Sequence, residues 1–450
     1  MARQNRWLLL PLCLVLLFLS GCFFSAGEEL YSLPQPPADY LLLQDQIEAV
    51  LDSGAEYAAP LAGNSTQPVQ MFDLDGDGAE EALAFFRTTS GGESALQLYV
   101  FRQTETGYET KAVITGNASS FRSLACADLT GDGTSELVVG YQMSPNVYLL
   151  SVYDLTGEEP AELLSTSYAR YTLYDMDSDG ISELVVFYTE PGDQPTSARL
   201  YRRTDSGGLA LHSAALLSAG AGDISSISTG LLDEGRPALY ATSSFGDNGQ
   251  ITDVLALRRN VLTNITLDEE LAVSSETLRY HSATVTDIDA DGRPEIPQPV
   301  VMPDYYDGAD TETYWLINWR RCRLDGSFVP VTTTFHNYQD GWYLIVPSSW
   351  VNRVSVTRSD TISGETAYIF GVRGGADEAL TDFLFLYRLT GANRVDRSQL
   401  EGRFVLSSQP EVIYAAYLPE TSLPASYQLT PELVSESFRR IITDWSHTDS

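Results

Sequence analysis

The apolar residues of this chain change their spacing along its length. Trp7 to Leu19 is an uncharged apolar run of 13 residues. As a helix it is too short to span a bilayer. Leu43, Ile47, Val50 and Leu51 then recur at helical spacing and stop at Gly54, which predicts one short amphipathic helix over residues 39–53. From about residue 66 the period falls to two. Leu96 to Phe101, Val147 to Tyr153, Arg199 to Tyr201 and Trp315 to Arg323 alternate or run apolar. They lead into turns at Gly107, Gly157, Gly207-Gly208 and Asp325-Gly326. Such runs closed by glycine turns predict antiparallel strands.

The strands belong to a repeat. Four nine-residue segments align without gaps. They are Asp73-Leu-Asp-Gly-Asp-Gly-Ala-Glu-Glu81, Asp128-Leu-Thr-Gly-Asp-Gly-Thr-Ser-Glu136, Asp175-Met-Asp-Ser-Asp-Gly-Ile-Ser-Glu183 and Asp287-Ile-Asp-Ala-Asp-Gly-Arg-Pro-Glu295. A worn copy, Gly230 to Ala238, keeps the turn glycine at Gly235 and lacks the acids at its first, third and ninth positions. The copies start 47 to 57 residues apart. Each lies between a short strand and an apolar one. About four strands per repeat of about fifty residues is the size of a propeller blade. The prediction is a mainly β chain with a β-propeller over residues 66–336, of about five blades, with six or seven as alternatives.

Beyond residue 336 the repeat is no longer legible. Gly341 to Pro347, Ala367 to Val372, Phe383 to Leu389 and Val412 to Tyr417 read as strands. Thr430-Pro431 reads as a helix start. Val434, Phe438, Ile441 and Trp445 would share one face of that helix. The expectation is a small α+β domain over 337–450, with residues 38–65 as an N-terminal helix and lead-in.

Charge narrows the partners. The chain carries 27 basic and 61 acidic residues, a net charge of −34. That balance argues against nucleic acid as a partner. It suits a chain that neutralises itself with cations, and the repeated loops have the chemistry for one. Calcium takes six to eight oxygen ligands. A D-x-D-x-D-G-x-x-E loop offers carboxylates at positions one, three, five and nine, and the glycine at six permits the turn that converges them. The expected donors are Asp73, Asp75, Asp77 and Glu81; Asp175, Asp177, Asp179 and Glu183; and Asp287, Asp289, Asp291 and Glu295. The second loop has Thr130 at position three, so the set Asp128, Thr130, Asp132 and Glu136 should bind more weakly. A helical EF-hand is excluded, since glutamate at position twelve and flanking helices are both missing.

These loops resemble the FG-GAP and VCBS-type repeats of integrin-α-like β-propellers over roughly residues 66–330. Those families usually carry Asp at the ninth position, where this chain has Glu. The resemblance implies structural calcium, three or four ions here, which stiffens blade connections and does no catalysis. Pro294, Pro297 and Pro299 crowd the strand after the fourth loop and predict a short or edge strand there.

The N-terminus carries a second resemblance. Arg3 and Arg6 precede the apolar run, and Leu19-Ser20-Gly21-Cys22 follows it, as in the lipobox of bacterial lipoproteins. This implies that residues 1–21 are a signal peptide and that Cys22 becomes the diacylglyceryl-bearing first residue. Two acyl chains meet the requirement for stable anchoring. Residues 22–37, with Pro34, Pro36 and Pro37, then form a tether. Loss of the two arginines in residues 1–21 takes the mature net charge to −36. The lipid places the protein at the outer face of the bacterial cytoplasmic membrane.

No catalytic motif is present. His212, His281, His336 and His447 stand apart from each other and from any metal or nucleophile pattern. Cys126 and Cys322 fit no disulfide framework and read as buried thiols, with a pair as the alternative. Tyr305 and Tyr306 with Asp304 and Asp307, and Trp342 and Trp350, are either binding aromatics or core. The leading expectation is a non-enzymatic binding or scaffolding module for an extracellular protein or glycan. The alternatives are a hydrolase or lyase acting on an extracellular polymer, and a calcium-responsive cell-envelope sensor or assembly factor.

Overall fold

The computed structural model describes residues 38–90, 93–189, 196–306, 312–373, 379–400 and 402–441. The signal run, Cys22, the tether, Asp307, Trp445 and His447 lie outside these residues. Six antiparallel sheets account for nearly all the strands. Sheet 1 spans residues 56–116, sheet 2 residues 120–167, sheet 3 residues 170–216 and sheet 4 residues 221–264. Sheet 5 spans residues 296–346 and adds a strand at 438–440; sheet 6 spans residues 354–417. Sheets 2, 3 and 4 are four-stranded meanders in which each strand pairs with the next in sequence. This blade-like repetition is consistent with a β-propeller, and six sheets fall within the range the repeat allowed.

Consecutive sheets pack face to face, and the second strand of each repeat shows why it is so apolar. In sheet 2, Leu137 and Val139 join the cluster shared with sheet 1, and Val138 joins the cluster shared with sheet 3. In sheet 3, Leu184 and Val186 face sheet 2, whereas Val185 and Phe187 face sheet 4. Side chains alternate faces along a strand, so a strand buried on both faces reads as a continuous apolar run. Further clusters join sheet 4 to sheet 5 through Tyr240, Val254 and Ile296, and sheet 5 to sheet 6 through Phe335, Trp342 and Phe370.

The two terminal faces have covers of their own. Helix α1 (Ala38–Asp52) lays Leu43, Ile47 and Val50 on Ala82, Ala84 and Phe86 of sheet 1. The outer face of sheet 6 gathers Ala367, Tyr387, Leu389 and Ile413 beside helix α2 (Arg394–Ser398). Among the described residues, no hydrophobic cluster joins sheet 6 to sheet 1.

The expected domain boundary at 336/337 is corrected. It would cut the strand Phe328–Asn337, whose hairpin partner is Trp342–Val346. Trp342 is fully buried against Phe335 and Tyr368, so the packing crosses the boundary instead of ending there. Residues beyond 337 supply two strands of sheet 5 and all of sheet 6, with two short helices, and do not form a separate α+β unit. The terminal helix α3 (Pro431–Ser437) starts as expected, with the Thr430 hydroxyl accepting from the Leu433 N–H at 3.3 Å. It then stops early. Phe438 turns into a strand that pairs with Trp342–Val346 and stacks on Trp342.

The strand after the fourth loop, Ile296–Val301, pairs along its length only with Trp315–Cys322. Its other side keeps the single bridge Thr286–Glu295. Pro297 and Pro299 are tolerated because an edge strand has no ladder to lose on that side.

Candidate metal centres and a tyrosine-lined cavity

Each acidic loop is built on one scheme. The first aspartate folds the turn. In loop one, Asp73 Oδ1 accepts from the Gly76 N–H at 2.8 Å and Oδ2 from the Gly78 N–H at 3.1 Å. Asp128 accepts from Gly131 and Gly133, Asp175 from Ser178 and Gly180, and Asp287 from Asp291 and Gly292. The fourth and sixth positions take left-handed backbone, at Gly76 (φ 72°) and Gly78 (φ 88°) in the first loop. The third and fourth loops impose it on Ser178 (φ 65°) and Ala290 (φ 61°).

The ninth-position glutamate closes the loop from the buried start of the second strand. One carboxylate oxygen accepts the N–H of the second loop residue: Leu74 to Glu81 at 3.0 Å, Leu129 to Glu136 at 2.7 Å, Met176 to Glu183 at 2.7 Å and Ile288 to Glu295 at 3.0 Å. These glutamates are at most 6 % exposed. Burial raises the pKa of all four above the usual carboxylate range, against the backbone hydrogen bond that lowers it. Glu183 is pushed up to about 7. A carboxylate held this way gains from any cation that reaches it.

The loops differ in what meets the second oxygen. Asp73, Asp75 and Glu81 bring one oxygen each to within 4.8 Å of one another. Two oxygens bound to one calcium at about 2.4 Å can lie no further apart than that. Among the described residues, no hydrogen bond or ion pair holds Glu81 Oε1; the nearby cation is Lys111, whose charge lowers the Glu81 pKa. The first loop therefore fits a hard cation. Asp77 stands outside the group, its Oδ1 accepting from the Ala79 N–H at 2.7 Å. In the second loop Thr130 donates to Glu136 Oε1 at 3.0 Å, and Asp132 turns to the Thr134 hydroxyl at 2.6 Å. Among the described residues this loop forms no convergent acidic group.

The third loop gathers Asp175, Asp177 and Glu183, and the fourth gathers Asp287, Asp289 and Asp291. Asp179 stays out of the first of these groups and Glu295 out of the second. Each loop already meets a guanidinium. Arg202 Nη2 lies 2.8 Å from Asp177 and 2.9 Å from Glu183. Arg321 Nη2 lies 3.2 Å from Asp289, 3.0 Å from Asp291 and 2.8 Å from Glu295. The repeat pattern did not reveal these arginines, because each sits on the strand after the one its loop leads into. The worn copy makes a tight turn instead of a loop, with Gly235 donating to the Leu232 carbonyl at 2.8 Å.

At the far end of the same strands lies a cavity of about 590 Å³. The strand Glu183–Tyr188 starts at the third loop and ends at the cavity, roughly 17 Å away at strand rise. Arg122, Tyr148, Tyr168, Tyr171, Tyr188 and Asp223 line it, from sheets 2, 3 and 4. Tyr168 packs between Tyr148 and Tyr171, with ring centroids at 5.9 and 5.6 Å. The Arg122 guanidinium lies over the Tyr148 ring at 5.3 Å. No sequence motif marks this cavity, since its residues come from separate strands.

The other aromatic candidates are buried or half-buried. Trp342 and Trp350 are fully buried. Tyr306 donates to Asp382 at 2.7 Å, and Tyr305 lies under Arg373. Cys126 and Cys322 are unpaired thiols, and burial pushes the Cys322 thiol up to about 12. No helix among the described residues is long and apolar enough to cross a membrane.

An acidic loop repeated at the same corner of successive antiparallel sheets defines a β-sheet repeat protein with blade-like units. Within it, residues 73–139 match the FG-GAP-like repeat family, a stretch that includes the first two loops. No curated protein matches the chain. Solved structures similar to it include a protein from Lactobacillus plantarum, at 9 % identity and a TM-score of 0.28, covering 72 % of this chain and 86 % of that one. Sqt1 from Saccharomyces cerevisiae is similar at 10 % identity and a TM-score of 0.32, covering 81 % of this chain and all of the other. Sqt1 from Chaetomium thermophilum shows 11 % identity and a TM-score of 0.29, covering 76 % and 93 %. At these values the likeness is loose, and the fold rests on the strand pairing itself.

Proposed function

We propose that this chain is an extracytoplasmic lipoprotein, anchored through Cys22 at the outer face of the bacterial cytoplasmic membrane. Its blade-like sheets act as a calcium-stabilised binding or scaffolding module for protein or glycan. The calcium reading is supported by the FG-GAP-like repeat and by the convergence of Asp73, Asp75 and Glu81. The observation that carries the binding role is the tyrosine-lined cavity. It has the volume of a small-ligand site, and a cluster of tyrosine rings beside an arginine suits sugar faces or an extended peptide. Arg122 supplies a cation on a strongly acidic molecule, which favours ligands bearing carboxylates.

Crosslinking on intact cells, with identification of the captured partner, tests this role. Tyr148→Ala and Arg122→Ala should each lower capture of that partner at least tenfold, with the thermal transition kept. Undiminished capture by both variants would refute the cavity as the binding site.

A further inference from the structure

We infer that Arg202 and Arg321 are built-in cations that replace calcium in the third and fourth loops, so that these two loops close without metal. The inference deepens the calcium reading above by stating which loops take the ion.

In sheet 3, Leu184 pairs with Tyr201, so Arg202 stands level with the ninth-position Glu183. In sheet 5, Ile296 pairs with Arg320, so Arg321 stands level with Glu295. The same position is Arg102 in sheet 1, beside the Ala82–Phe101 pair, and Asp154 in sheet 2, beside the Leu137–Tyr153 pair. The repeat therefore offers one cross-strand place from which a long basic side chain can reach into the loop. Only sheets 3 and 5 use it. Arg102 is exposed and makes no ion pair among the described residues, and Asp154 accepts from Thr156 instead.

Both arginines are fixed. Their side chains are 14 % and 11 % exposed. Arg202 Nη1 donates to Asn260 Oδ1 at 2.7 Å, a residue in a turn of sheet 4. Arg321 Nη1 lies 3.8 Å from Asp233, in the worn loop of the same sheet. Of the two acids in the decayed copy, Asp233 and Glu234, Asp233 at the fourth position faces the arginine of the next sheet.

The guanidinium and a metal exclude each other. Arg321 Nη2 lies within 3.2 Å of three carboxylates at once. A calcium ion bound at about 2.4 Å to the same oxygens would sit against a like charge that side-chain titration cannot remove. The first loop has no such arginine.

The test counts calcium ions per chain by equilibrium dialysis of the detergent-solubilised full chain, with thermal melts in EDTA and in calcium. Arg202→Met and Arg321→Met keep most of the stem and remove the charge. Each should gain one ion, melt several degrees lower in EDTA, and recover in calcium. Counts unchanged in both variants would overturn the inference. Where a variant does not fold, Asp177→Asn and Asp289→Asn decide. The inference expects the wild-type count to survive both, and the loss of one ion in each would overturn it. A wild-type chain that binds no calcium, together with ions gained by the Met variants, would sink the reading of the first loop and support this inference.

Discussion

At the scale of single residues, the ninth position of each loop does the most. A buried glutamate there ties the loop's second residue to the following strand and leaves one oxygen to be met. Thr130, Arg202 and Arg321 meet it in three loops. The third and fourth loops also carry backbone strain, because Ser178 and Ala290 occupy a region that favours glycine. Ala290→Gly should raise stability by about 0.5–1 kcal/mol, the left-handed penalty less the added chain entropy. Urea denaturation measures it, and a destabilised variant would contradict the strain. His336 gives a pH prediction. Burial, with His281 nearby, lowers its pKa to about 4, so the folded protein holds the imidazole neutral. A depressed pKa contributes stability that is present above the unfolded value near 6.5 and is lost as pH falls toward 4. In His336→Gln, stability measured by urea denaturation should fall less across that window than in the wild type. Equal slopes would exclude the histidine as the cause.

At the scale of elements, the sequence made the strand–loop–strand unit legible because its signals are local. Acid spacing, turn glycines and the apolar run after each loop lie within about fifteen residues. The arginines that enter loops three and four lie 19 and 26 residues beyond the ninth-position glutamate, on another strand, and only the register brings them in. The C-terminal helix misled for a related reason. Val434 and Phe438 are at helical spacing, yet Phe438 is recruited as a fifth strand by the edge of sheet 5. Tertiary pairing overrides a short helical pattern. Trp342 anchors that pairing from a fully buried position. Trp342→Ala should cost about 3–5 kcal/mol, as large core truncations do. A loss below about 1 kcal/mol would argue against a shared core across residue 337.

For the whole molecule, the sheets form a stack in which every internal face meets a neighbour and each end face has its own cover. That is why the repeat signal faded in the second half. Sheets 4 and 6 keep the strand architecture without the acidic loop, so their packing survives where the motif does not. Sheet 6 was legible only as separate strands, because its last two strands in space are out of sequence order. On the proposed reading, cations hold the loop corners of this stack, with calcium in the first. Thermal unfolding of the full chain in detergent, in EDTA and then across a calcium titration, tests it most directly. A ligand of the folded state adds about 2.7 kcal/mol at a hundredfold excess over its dissociation constant. The transition should climb with calcium and lose the climb in Asp75→Asn. A transition unmoved by millimolar calcium would contradict that reading.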